Sequence, residues 1–218
     1  MSSSNSNQAR TDRSRSDGRD GVYLVGAGDG RESGRAIGIS LLGIDCETAA
    51  TFFPGRADAA KAWDRWLKRV FEPHLAPAFV EIFTATGRMR IDRVVARDRS
   101  LGERLAVPAA RRSLAAAAPF LDGRAEIRHF PQWTKFRDRL DAGETPGHVT
   151  SLFALQAALF HLPLLQALVS YLYFEWRSGL GPATDIGVAR FQRDFPESLA
   201  AARRAFEREA GAGGLTSI

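Results

Sequence analysis

Five polar side chains, Gln156, His161, Gln166, Tyr171 and Tyr173, are carried by Val149–Phe174, VTSLFALQAALFHLPLLQALVSYLYF, which runs 26 residues without one Asp, Glu, Lys or Arg. Amide, imidazole and phenol groups among so many apolar side chains are the ingredients of a pocket for an apolar or aromatic substrate. The walls of such a pocket supply affinity and a few polar groups fix orientation. Helices that pack as a bundle and point these groups inward could line a ligand cavity. The same stretch is long enough to cross a bilayer. Gln156, His161 and Gln166 near its middle would be costly in hydrocarbon, however, and Pro163, directly after FHL, suits the first turn of a new helix. The pattern therefore predicts two consecutive buried helices, 149–161 and 163–177, and no membrane span is expected.

Other chemistry-bearing residues are sparse. His74, His129, His148 and His161 show no HExxH pattern and no cysteine at ligand spacing, so no metal site is expected. His161 reads as a core or hairpin histidine and His148 as a helix-start residue. Cys46, the single cysteine, would be a nucleophile only beside a base and reads as a small buried residue. A lone cysteine excludes an internal disulfide and fits a reducing compartment, hence a cytoplasmic location. The run VYLVGAGDGRESG (22–34) has the look of a dinucleotide loop. Its start resembles the VYLVGAGPG opening of the tetrapyrrole methyltransferases, with Asp29 in place of Pro. A working loop of this kind needs a strand before it, a helix after it and a second strand carrying an acidic residue. No further strands follow, so Gly28 and Gly30 read as turn glycines and no cofactor is expected.

The elements that must position these residues follow from hydrophobic period. Residues 1–20, almost devoid of apolar side chains, read as a disordered arm without the apolar core of a signal peptide. Residues 21–57 form an irregular, Gly-rich lead-in. From 58 to 212 the pattern is that of a helical bundle domain. Asp58 is a plausible N-cap, and Trp63, Trp66, Leu67, Val70 and Phe71 share one face. Pro73 is predicted to stop or kink that helix, and Leu75, Phe79, Ile82 and Phe83 resume the period. Helical segments follow at 91–105, 108–121, 133–140 and 196–210, with no alternation of period two beyond residue 60. The fold class is all-α: a single bundle of about seven to eight helices. Lys+Arg 30 against Asp+Glu 25 gives a net charge of +5. A nucleic-acid partner would leave a clustered basic stripe, whereas Arg here is interleaved with acids. RVVARDRSLGER (93–104), for instance, reads as a solvated face with weak ion pairs. No nucleic-acid partner is expected.

Four stretches, AWDRWLKRVFEPHLAPAFVEIF (62–83), RDRSLGERLAVPAARRSLAAAAPFL (97–121), GHVTSLFALQAALFHLPLLQALVSYLY (147–173) and GPATDIGVARFQRDFPESLAA (181–201), resemble in order the segments of the urease accessory protein UreF family. Thr184, Asp185 and Gly187 are similar to the TDG of that family's loop, with one residue inserted. The family's N-terminal Pro-Gly-Gly-Phe segment and its C-terminal RHE-type tail have no counterpart. The resemblance implies a cytoplasmic, non-enzymatic, all-α scaffold that forms a homodimer and docks a protein partner, a GTPase or a client enzyme, during nickel delivery. Thr184 and Asp185 would then sit on a docking edge. From residue type alone they read as caps of the next helix. Three functions stay open: an accessory or interaction protein of this type, a small all-α enzyme with an apolar or aromatic substrate held by the 149–177 helices, and a membrane-associated protein.

Overall fold

Ala59–Trp66 (α1) passes through a π-helical segment, Leu67–Leu75, directly into Ala76–Gly87 (α2). Pro73 thus does not stop the helix; it falls inside the π-helical segment. Its ring collides with the carbonyl four residues back in α-geometry and it has no N–H to donate. The chain answers by widening, and the Ala76 N–H donates to the Phe71 carbonyl, five residues back. Trp63, Leu67, Phe71 and Leu75 form the buried stripe. Trp66, predicted on the same face, is half-buried at its edge, stacked on Trp63 at 4.8 Å.

These coordinates are a computed structural model, which describes residues 59–121, 125–180, 191 and 193–211. The arm, the lead-in with Cys46 and the Gly-rich run, and Thr184 and Asp185 lie outside the described residues. After α2 come Ile91–Arg104 (α3), Val107–Ala115 (α4), Ala118–Leu121 (α5), a 3-10 turn at Ala125–His129, Pro131–Asp141 (α6), Val149–Leu159 (α7), Leu164–Leu180 (α8) and Pro196–Gly211 (α9). The described residues contain helices and no strand. The fold is the all-α bundle that the hydrophobic period predicts.

The uncharged stretch is its centre. All eleven residues of α7 are buried, because the helix carries no polar face and must be covered on every side. It packs most extensively against α2, which in turn packs on α3. The break between α7 and α8 falls at Phe160–Pro163 as predicted. His161 closes α7 in a left-handed conformation, φ 54, the place usually taken by Gly or Asn. Around it the His161 N–H donates to the Ala158 carbonyl and the Leu162 N–H to the Ala157 carbonyl, each at 3.0 Å. Among the described residues no helix is long and apolar enough to cross a membrane. The last helix is tied to the first by one buried bond, from Trp63 Nε1 to Ser198 Oγ at 2.8 Å.

Candidate functional site

The five candidate pocket residues of the uncharged stretch are spread over different settings. Gln156 donates from Nε2 to the Phe120 carbonyl at 2.9 Å, inside the core. Tyr173 is buried among Trp176 and Phe191. His161 is exposed at the hairpin and Gln166 is half-buried on α8. Tyr171 joins a polar cluster. Its hydroxyl donates to Glu175 and lies 2.8 Å from Thr150 Oγ1. Since the tyrosine proton goes to Glu175, Thr150 donates to Tyr171 and keeps its own lone pairs free to accept.

Thr150 and Glu175 line a narrow slot of about 50 Å³ between the first helix and α4. Trp66, Val70, Leu75 and Leu105 form its apolar walls, and Arg112 and Ser113 reach it from α4. Burial pushes the Glu175 carboxyl up from 4.5 to about 7, against the opposing pull of the Tyr171 hydrogen bond and the Arg112 charge. Tyr171 is itself driven well above its ordinary value by the same burial and by the neighbouring carboxylate.

The raised carboxyl makes a stability prediction with a definite sign. Folded protein holds this proton more tightly than the unfolded chain does. The group's contribution is therefore fully present below the unfolded value of 4.5 and is lost as pH rises through about 7. Glu175→Gln, which never ionises, should gain on the native protein across that window. The gain between about pH 4 and about pH 8 should come to about 3 kcal/mol. Urea denaturation of both proteins at the two ends measures it, and a difference independent of pH would remove the case for a buried carboxylate.

Asp98 and His148 also meet, and their pairing is structural. The Asp98 carboxylate, fully buried on α3, accepts from the backbone N–H of His148 at 2.9 Å, from the Gly147 N–H at 2.7 Å and from Thr145 Oγ1 at 2.5 Å. It thus anchors the chain entering α7 from a neighbouring helix, taking the N–H of His148, one of those that a helix start leaves without an internal partner. The His148 ring makes no hydrogen bond among the described residues. It lies over Gly102, where a Cβ would come within 2.8 Å of Nε2. Burial pulls its pKa down, opposed in part by the Asp98 charge.

A cleft of about 390 Å³ opens where α2, α3 and α9 converge. On α3 and its lead-in, Arg90, Arg93 and Arg97 recur at i, i+3 and i+7 and so project along one face. Arg88 joins them from the end of α2 and Arg208 from α9. The turn that brings Arg88 and Arg90 to the rim is closed by Met89 at φ 57, with the Arg90 N–H bonded to the Ala85 carbonyl at 2.8 Å. Five arginines face two glutamates, Glu81 and Glu209, a formal +3 over a floor that includes Ala76, Pro77, Val80 and Ala205. Arg97, its side chain 14% exposed, is held 3.1 Å from Glu81. Arg208 lies 3.9 Å from Glu72, whose carboxylate is taken mainly by Arg204 at 2.5 Å. Arg90 and Arg93 are exposed and form no ion pair among the described residues.

Guanidinium groups bind carboxylate and phosphate oxygens two at a time. Walls of low dielectric around a cleft of one sign concentrate anions there. The arrangement can therefore hold an anionic group, with small apolar side chains beneath for whatever carries it. Among the described residues no group of His, Cys, Asp and Glu is placed to hold a metal ion. Compared with protein-family models, curated proteins and solved structures, the chain matches none.

Proposed function

We propose that this protein is a non-enzymatic helical interaction protein and that the arginine-lined cleft is the surface on which it meets an acidic protein partner. The observation that carries the reading is the convergence of Arg88, Arg90, Arg93, Arg97 and Arg208 from three elements on one cleft. Arg90 and Arg93 are left there without ion-pair partners among the described residues. A partner carboxylate would pair with them at little desolvation cost, since both guanidinium groups are already at the surface. The resemblance to the UreF family supports an accessory role of this kind, with a GTPase or a client enzyme as the acidic partner and the bundle acting in the cytoplasm as a homodimer.

A labelled poly-glutamate peptide tests the cleft directly. Native protein should bind it in a salt-dependent manner and should ignore poly-lysine. Arg90→Glu together with Arg93→Glu should weaken binding by about tenfold or more, because each reversal replaces an attraction with a repulsion. The melting curve should barely move, since both side chains are exposed. Unchanged affinity in the double variant would remove the cleft from the reading.

A further inference from the structure

The slot above Glu175 lies apart from the arginine cleft and carries the opposite chemistry. Three oxygen acceptors gather at its base. Glu175 presents a carboxylate. Thr150 has lone pairs left over, its proton being given to Tyr171. Ser113 Oγ is buried with no hydrogen-bond partner among the described residues. A primary ammonium group carries three N–H donors on one centre. An opening of about 50 Å³ has room for an ammonium with its first methylene, a volume on the scale of one or two waters. The walls outside it, Trp66, Val70 and Leu105, are half-buried apolar side chains at the slot's mouth. The indole of Trp66 adds a ring face of the kind that attracts cations.

We infer that this slot is a binding site for the ammonium of an alkyl- or arylalkylamine, its head on Glu175, Thr150 and Ser113 and its apolar body along Trp66, Val70 and Leu105. Arg112 is the charge that opposes it. This guanidinium lines the same slot from α4, a helix in which Ser113 is the one buried residue. With so little apolar anchoring, α4 can yield locally at small cost, and Arg112 can swing outward as the amine enters.

Hexylamine is the probe, with hexanol and hexanoate as matched controls of the same chain length, read by calorimetry and by thermal shift on the full chain. Hexylamine should bind and raise the melting temperature, whereas hexanoate should not. Glu175→Gln should weaken hexylamine binding by about tenfold or more, and Arg112→Ala should tighten it when compared at a pH well above 7, where the carboxyl is ionised even without that guanidinium. Binding should also strengthen as pH rises through about 7, where Glu175 ionises. Of the other charged or titratable groups around that carboxyl, Arg112 faces it from α4 and Tyr171 from its own helix, and the lining residues of the first helix add none. Hexanol binding as well as hexylamine would overturn the assignment by showing a merely apolar slot. So would the absence of any hexylamine binding, an unchanged affinity in Glu175→Gln, or an affinity in Arg112→Ala no tighter than in the native chain at a pH well above 7.

Discussion

Phe153→Ala should destabilise the protein by about 3–5 kcal/mol, as for large aromatic truncations that leave a cavity in a packed interior. Phe153 has no solvent exposure and its ring meets four others: Phe79 at 6.2 Å, Phe120 at 5.7 Å, Tyr171 at 5.4 Å and Phe174 at 5.8 Å. These come from α2, α5 and α8, so the side chain joins three elements around α7. The lost area cannot be recovered by collapse, because α7 is covered on every side and has nowhere to move. Against a total stability of roughly 5–15 kcal/mol for a domain, such a loss leaves little margin. Trp66→Ala is the internal control. Trp66 is a larger ring, yet half-buried at the edge of the same core, and its removal should cost clearly less. Chemical denaturation of both variants decides the matter. A Trp66 loss equal to or above that of Phe153 would mean that the centre of the core lies nearer the first helix than the packing shows.

What sequence pattern could and could not foretell divides along a physical line. Apolar period identified the helices and the core, since burial of whole faces is what the period encodes. Val149–Phe174 became two buried helices with their break at Phe160–Pro163, and the left-handed His161 closes the first of them. The charged residues were less legible. The uncharged stretch ends at Phe174 because Glu175 follows it, and that carboxylate lies within the predicted buried helix 163–177 without being singled out for any role. Glu175 is 3% exposed; its partner Tyr171 lies four residues before it, but Thr150, bonded to Tyr171, lies a further 21 residues back, so no local pattern announces the cluster. RVVARDRSLGER was read as a solvated face. Part of its organisation was nonetheless present in the spacing. Ile91, Val94, Val95 and Leu101 form the buried stripe and Asp98 falls on it, whereas Arg90, Arg93 and Arg97 share another face and line the cleft. Interleaved signs along the chain had concealed a separation of signs in space. That Arg88 and Arg208 join the same cleft depends on how α2, α3 and α9 cross, which no single segment specifies. Thr184 and Asp185, to which the family resemblance assigned a docking edge, lie outside the described residues.

Asp98 is where the two kinds of information meet, and its substitution should rival the loss of Phe153. A buried carboxylate that accepts three hydrogen bonds, two of them from backbone N–H groups, leaves three donors orphaned when it is removed. Each orphaned buried donor costs about 1–3 kcal/mol, and Thr145 can turn its hydroxyl elsewhere while the Gly147 and His148 amides cannot. Asp98→Ala should therefore cost about 3–5 kcal/mol, the range for breaking a buried, charge-assisted cluster. Asp98→Asn is the sharper test, because it keeps the volume. With its carbonyl oxygen on Thr145 and Gly147, its amide would face the His148 N–H, donor against donor. Turned the other way, it would face the Gly147 N–H. Either orientation loses at least one backbone bond, so the isosteric change should recover only a part of what alanine loses. Gly147 cannot be adjusted to help. It sits at φ 76, and a Cβ there would come within 2.7 Å of Leu140 Cδ1. Amide hydrogen exchange should report the damage first at the start of α7, at Thr150 to Leu152, ahead of α8 and α9, since this anchor holds that end alone. If Asp98→Asn proves as stable as the native protein, with exchange at the start of α7 unchanged, the carboxylate is not what fixes this helix in the core.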